Sequence, residues 1–210
     1  MSLIWIEVLN SSPDIIKRLR DTGLFACSKH GEPNHIIVNE YEPGQGIMPH
    51  EDGPSYHPVV ATLSLGSHAV FNYHRYLEDP QISLSVPRST PDSETSGGKT
   101  IDPKPILSVL LEPRSLVITV KALYTHHLHA IEPLERDVLL PAQIERTPRD
   151  QDLGHSGGIT IANWKMLRGE EESRVAREGG VIARKTRVSL TCRDVGRVMG
   201  GKGLRAFSKR

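Results

Sequence analysis

Apolar positions along this chain recur mostly with the period of a pleated strand. One early stretch departs from that. Ile15, Ile16 and Leu19 fall at helical spacing behind Ser12 and Pro13, which suit a cap and a first helical position, and ahead of Gly23, which suits a stop. From His35 the period becomes two. His35 to Tyr41 is rich in β-branched residues and ends at Pro43-Gly44. Val59 to Leu65 alternates and ends at Gly66, and Ala69 to Tyr73 follows after a tight connection. Ile106 to Leu111 and Ser115 to Val120 flank Glu112-Pro113-Arg114, which predicts a hairpin between them. Arg187 to Arg193 alternates polar and apolar residues. Many short strands behind one helix predict a mainly β antiparallel sandwich or barrel.

Two stretches interrupt the pattern. Glu78 to Pro105 is rich in Pro, Ser and Thr and contains Gly97-Gly98, so it reads as a mobile insertion. Glu132 to Gly180 is polar, with a charge-dense run from Arg168 to Arg174, and reads as a second insertion with some order near Trp164. The expected division is a helical segment over 1–34, a β domain over 35–198 carrying insertions at 78–105 and 132–180, and a basic tail over 199–210. Lys202, Arg205, Lys209 and Arg210 make that tail a solvated terminus.

Composition narrows the function classes. The 210 residues suffice for one domain with a real core. With 26 basic against 25 acidic residues, no global field draws the chain to nucleic acid or to a membrane. Cys27 and Cys192 have no metal or redox spacing, which fits reduced thiols in an intracellular protein. There is no basic segment followed by an apolar run at the N-terminus and no apolar stretch of bilayer length. Cytoplasm, nucleus or both is the expected location, and a monomer the expected state.

Candidate chemistry lies in the polar positions among the strands. His50 and Asp52 form an H-x-D pair and, in an extended segment, face one way. A later cluster holds His126, His127 and His129. Two histidines and one carboxylate are the ligand set of a non-haem Fe(II) site with open coordination positions. The pair alone is weak, since about 0.5 are expected by accident at this composition. Of the ten histidines, His30, His35, His57, His68, His74 and His155 read as surface or hydrogen-bonded residues. By strand parity His127 shares a face with His129, while His126 points away. Arg187 and Arg193 lie six residues apart on one face of a strand, about 20 Å between Cα atoms at ~3.3 Å per residue. Their long side chains can lean toward a dicarboxylate between them and pair with it bidentately. Alternatively, both turn outward into solvent.

The run from His35 to Asp52 resembles the core of the AlkB-type Fe(II)/2-oxoglutarate dioxygenases, where an N-x-Y strand precedes H-x-D. The stretch from Gly46 to Pro54 is characteristic of one eukaryotic branch of that family. Val60 to Gly66 looks like the family's next strand, and Arg187-x-Ser-x-Thr-x-Arg193 looks like its C-terminal R-x-[NS]-x-T-x-R motif. The likeness spans about His35 to Val198. It implies a double-stranded β-helix (jelly roll) with a short N-terminal helix. It implies Fe(II) on His50, Asp52 and His129, the last because it precedes Ala130-Ile131, although the family more often has Gly there. It implies 2-oxoglutarate as cosubstrate, with Arg187 and Tyr41 on its distal carboxylate and Arg193 and Asn39 near the chelating end.

The implied reaction consumes dioxygen and 2-oxoglutarate, gives succinate and carbon dioxide, and hydroxylates a nearby C–H. On an N-methyl group the product then loses formaldehyde. Methylated DNA or RNA is the substrate implied by the resemblance. Rival readings are a protein or small-molecule hydroxylase on the same fold, and a non-catalytic interaction module. Relatives that act on nucleic acid flip the base under a lid. The 38 residues before Asn39 hold one helix, so an incomplete lid is expected. Trp5, Phe25 and Tyr56 are the aromatics near the motif, and each reads as core before it reads as a stacking surface.

Overall fold

The computed structural model describes residues 3–4, 13–77, 99–142 and 158–196. The elements are β1 (Leu3–Ile4), α1 (Pro13–Asp21), β2 (His35–Tyr41), β3 (Ile47–His50), β4 (Tyr56–Leu65), β5 (Ala69–His74), β6 (Leu107–Leu111) and β7 (Leu116–Val120). They continue with α2 (Ala122–Thr125), β8 (Leu128–Ile131), β9 (Arg136–Leu139), α3 (Glu170–Glu178), β10 (Gly180–Ala183) and β11 (Arg187–Val195). A major sheet runs in the order β1-β2-β11-β4-β7 and a minor sheet in the order β3-β8-β5-β6. All their pairings are antiparallel. From β2 to β5, successive strands alternate between the two sheets, which is the winding of a jelly roll.

That winding corrects one expectation. Glu112, Pro113 and Arg114 do not close a hairpin. β6 pairs with β5 in the minor sheet and β7 with β4 in the major sheet. The connection is a corner, in which Arg114 takes φ 67° and its N–H reaches the carbonyl of Ser64 at 2.6 Å. Two strands joined by a short polar turn read alike in sequence whether they pair or cross between layers.

The major sheet has an apolar back and a polar front. Ile36, Leu190, Cys192 and Ala61 cluster with Ile16, Leu19 and Phe25, so the N-terminal segment packs on the back. Phe25 and Cys192 are fully enclosed there, and burial pushes the Cys192 thiol up to about 12, leaving it inert. The described part of the N-terminal segment is therefore a buttress on the face away from His50 and Asp52, not a lid. Residues 5–12, including Trp5, lie outside the described residues.

The minor sheet is backed in turn by the stretch read as the second insertion. Val70 and Leu110 on its outer face pack with Leu139, Ile161, Leu167, Val175, Ala176 and Ile182. β9 and β10 pair from Arg136↔Ala183 to Leu139↔Gly180. Asn163 acts as a substitute strand, accepting from Leu110 N–H and donating to Leu110 C=O, both at 2.9 Å. The described residues of 132–180 are thus part of the core, and only 143–157 lie outside the described set. Its apolar residues are spread one or two at a time among charges, which hides a buried face from a reading by polarity. Of the first insertion, 78–98 lies outside the described residues, and its end is tied by a Tyr76↔Ile101 bridge. The tail over 199–210 also lies outside them.

One buried ionic cluster fastens this backing to the barrel. Arg184 grips Asp137 through Nε at 2.7 Å and a terminal nitrogen at 2.6 Å. It also donates to Glu132 C=O at 2.6 Å, and His68 Nε2 lies 3.1 Å from Asp137 Oδ2. Burial alone would raise the Asp137 carboxyl, but the bonds from Arg184 and His68 hold it below the usual carboxylate range. Asp137→Ala should cost about 3–5 kcal/mol, because it leaves the Arg184 charge buried without its partner. Urea unfolding measures this, and a loss under about 1 kcal/mol is too small for a buried charge stripped of its partner. A carboxylate with a depressed folded pKa stabilises above its unfolded pKa. The Asp137 contribution should therefore be complete above about pH 4 and fade as pH falls through the folded value.

Candidate active site

The polar front of the major sheet faces the minor sheet. The register on β11 sets Arg187 opposite Tyr41, Ser189 opposite Asn39 and Arg193 opposite His35. On its other side Ser189 meets Ser64 and Thr191 meets Thr62. Alternation along β2, β4 and β11 thus turns Asn39, Tyr41, Thr62, Ser64, Arg187, Ser189 and Arg193 toward the interior, and all seven are buried. Seven buried polar side chains on one inner face are too many for a core that only packs. Both arginines point inward, and the outward alternative fails.

Opposite this face, β3 lies beside β8 with His50 directly across from His129. Their rings are 4.3 Å apart between centroids and tilted by 59°. His129 also stacks on Phe71 at 5.2 Å. Its Nε2 is 4.0 Å from Asp52 Oδ2. His50 donates its Nδ1–H to Met48 C=O at 2.8 Å, which fixes the tautomer and frees Nε2 as a lone-pair donor. Burial, with repulsion from His50 and Arg193, pushes His129 down to about 3, so its imidazole is neutral. Burial raises the Asp52 carboxyl, and the charges of Arg193 and His50 oppose that rise.

The two rival histidines lie elsewhere. His127 precedes β8 and does not share its face, because its Nδ1–H bonds the carbonyl of Ala122 at 2.7 Å and holds the ring against α2. His126 is exposed beside Thr125 Oγ1 at 2.5 Å. Strand parity misread His127 because the strand begins one residue later.

Arg193 joins the two halves of the site. A terminal nitrogen donates to Asp52 Oδ1, and its guanidinium carbon lies 4.8 Å from the centroid of the Tyr56 ring. At the other end of β11, Arg187 donates to Ser64 Oγ at 2.8 Å and lies 5.5 Å from the centre of the Tyr41 ring. Burial pulls the Arg187 guanidinium down to about 10, though it stays charged. Asn39 stands between the two arginines, opposite Ser189 and not beside Arg193.

Among the described residues, no three His, Cys, Asp or Glu side chains are in ready-made ligating geometry. His50, Asp52 and His129 are neighbours around a common space, with Asp52 turned to Arg193. The donor chemistry nevertheless suits a divalent metal with open positions: two imidazoles and a carboxylate. Two buried donors point to a second, anionic guest. Among the described residues, Arg187 Nε and Arg193 Nε are enclosed without a hydrogen-bond partner, as is the acceptor Asn39 Oδ1 between them. Buried polar atoms are rarely left so, and these lie along one face.

Residues 5–193 match the family description of the 2OG-Fe(II) oxygenase superfamily. The chain belongs to that superfamily. Fe(II) and 2-oxoglutarate are the metal and cosubstrate of a 2OG-Fe(II) oxygenase, and dioxygen is its oxidant. The chain is 34% identical over 166 residues to "Probable RNA/DNA demethylase ALKBH6" of Danio rerio, covering 79% of this chain and 55% of that protein. It is 32% identical over 77 residues to "Uncharacterized protein L905" of Acanthamoeba polyphaga mimivirus, 36% of this chain and 37% of that one. Among solved structures, OsALKBH1 aligns with 90% of this chain and 66% of its own, at 17% identity and a TM-score of 0.37. The chain spans about half the length of its Danio rerio relative.

Four residues of the site were given no role by the sequence reading. Ser64 was legible only as the polar half of an alternating strand, and Ser189 only as the serine of the C-terminal motif. Tyr56 read as core, yet it is half-buried at the mouth and stacks on His35 at 5.7 Å. Tyr124, on α2, donates its hydroxyl to Gly53 C=O at 2.9 Å and pins the turn that follows Asp52.

Proposed function

We propose that this oxygenase is a 2-oxoglutarate-dependent dioxygenase that oxidatively demethylates alkylated nucleic acid. In this reading His50, Asp52 and His129 hold Fe(II), while Asn39, Tyr41, Arg187 and Arg193 hold 2-oxoglutarate. When bound, the metal and cosubstrate supply an oxidant derived from dioxygen that hydroxylates a substrate C–H. The chain's own residues do the rest. Arg187 offers a charged fork on the inner face of the major sheet, with the Tyr41 ring beside it. Arg193 hydrogen-bonds the Asp52 carboxylate and opposes the rise that burial imposes on it. The His50 backbone bond sets the tautomer. The apolar faces of Phe71 and Tyr73, which meet edge to face at 5.3 Å, wall one side and exclude water.

The observation that carries the reading is the pairing of His50 with His129 across one ladder, facing a sheet whose buried arginines lack full partners. Nucleic acid as substrate rests on the Danio rerio relative, whose name reads "Probable RNA/DNA demethylase ALKBH6". Anaerobic addition of Fe(II) and 2-oxoglutarate should produce the weak visible charge-transfer band of the chelate, and His50→Ala should lack it. No band in the wild-type chain refutes the oxygenase site. With air admitted, methylated oligonucleotides should release formaldehyde in step with succinate. Succinate formation that is indifferent to every methylated DNA and RNA tested counts against demethylation.

A further inference from the structure

We infer that Tyr56 is a positioning residue of this site, its ring clamping the Arg193 guanidinium so that Arg193 can hold Asp52 and meet the chelating end of the cosubstrate. The inference rests on the ligand and cosubstrate roles proposed above.

The origin of the clamp lies in the backbone. β11 and β4 keep a regular ladder up to Arg193↔Val60, and the next pair is Val195↔Tyr56. Two steps along β11 are matched by four along β4, so β4 bulges there. Pro58 sits in the bulge and has no N–H to give the ladder. Bulges re-aim side chains. Here the bulge brings the Tyr56 ring back over Arg193, with the guanidinium carbon 4.8 Å from the ring centroid. His35, the cross-strand partner of Arg193, stacks on that ring at 5.7 Å and an interplanar angle of 24°.

The clamp answers a physical need. Among the described residues, Arg193 makes one side-chain hydrogen bond, to Asp52, and its Nε is buried without a partner. A single bond at one tip leaves a long, rotamer-rich side chain free to pivot. A ring against the guanidinium face removes that freedom and leaves the planar edge, with its N–H groups, open to a carboxylate. The neighbouring residue is also fixed. Asp194 accepts from His30 N–H at 3.0 Å and lies 2.6 Å from His30 Nδ1, which anchors β11 to the N-terminal segment. Backbone and guanidinium face are thus held independently, and the donor edge is what remains for chemistry.

The test compares Tyr56→Leu, which removes the ring, with Tyr56→Phe, which removes only the hydroxyl. With the full chain loaded anaerobically with Fe(II), the charge-transfer band is titrated with 2-oxoglutarate. Tyr56→Leu should weaken cosubstrate binding about fivefold, the size of one partly desolvated cation–π contact, and Tyr56→Phe should match the wild type. A second readout needs no metal. In ¹⁵N-arginine-labelled protein, the Arg193 Nε–H resonance should carry a ring-current shift that is lost in Tyr56→Leu and kept in Tyr56→Phe. Equal cosubstrate affinity in all three proteins overturns the positioning role, as does an equal loss in both variants. An unshifted Nε–H in the wild type overturns the clamp itself. A shifted Nε–H in a wild-type protein that forms no chelate upholds the clamp and overturns the oxygenase site.

Discussion

His129→Ala is expected to abolish Fe(II) binding and turnover, while His127→Ala leaves both close to wild type. The two residues are two positions apart in a run of three histidines, so the contrast is sharp. His129 lies in β8 directly across the ladder from His50, is buried, and has its Nε2 4.0 Å from Asp52 Oδ2. His127 lies before the strand, with its ring nitrogen committed to the Ala122 carbonyl. Loss of an outer-shell partner costs a metal site roughly 10- to 100-fold in affinity, and removal of a ligand from a three-ligand set should exceed that. Anaerobic equilibrium dialysis with Fe(II) measures it. The imidazole sits against Phe71 and His50, so the alanine leaves a small gap in the minor sheet, and thermal melting checks that the barrel survives. If His127→Ala loses the metal and His129→Ala keeps it, the distal ligand has been misassigned.

The uneven legibility of this chain has a physical basis. His50, Asp52, Asn39, Tyr41, Arg187 and Arg193 stood out because each belongs to a short pattern in which period-two spacing puts polar groups on one face. That spacing is a local property, and a strand preserves it wherever it is placed. Which strands pair is not local. The turn at Glu112 to Arg114 looked like a hairpin because turn chemistry specifies a reversal of direction, and a jelly-roll corner reverses direction as well. The stretch over 132–180 read as an insertion because its apolar residues are sparse. Leu139, Ile161, Leu167, Val175 and Ile182 enter the core from separate short elements, so no single window carries their period. Tyr56 depended on a bulge that only pairing with β11 reveals. The inner polar face was readable residue by residue, whereas its enclosure by two apolar backings was not.

Arg187→Ala should weaken 2-oxoglutarate binding about 100-fold and leave Fe(II) affinity nearly unchanged. The first half follows from burial. Truncating one partner of a buried, hydrogen-bonded charge pair costs about 2–5 kcal/mol, and about 1.4 kcal/mol is tenfold in affinity. Arg187 is 3% exposed, charged, and bonded to Ser64 through one nitrogen while its Nε lacks a partner. Such a group is built for an anion that completes it. The second half follows from distance. Six residues of strand, about 20 Å at ~3.3 Å per residue, separate its backbone from that of Arg193, so the change should not reach Asp52. Arg187→Lys distinguishes charge from shape. A lysine keeps the charge but not the planar fork, so it should recover only part of the affinity. Isothermal titration of the Fe(II)-loaded protein with 2-oxoglutarate, beside metal binding to the metal-free protein, separates the outcomes. An equal loss of metal and cosubstrate would mean that Arg187 supports the barrel through Ser64 and Tyr41 and does not receive the ligand. The unpartnered Nε favours the ligand, because a purely structural arginine in so polar a wall would have found a second acceptor among Ser64, Ser189 and the neighbouring carbonyls.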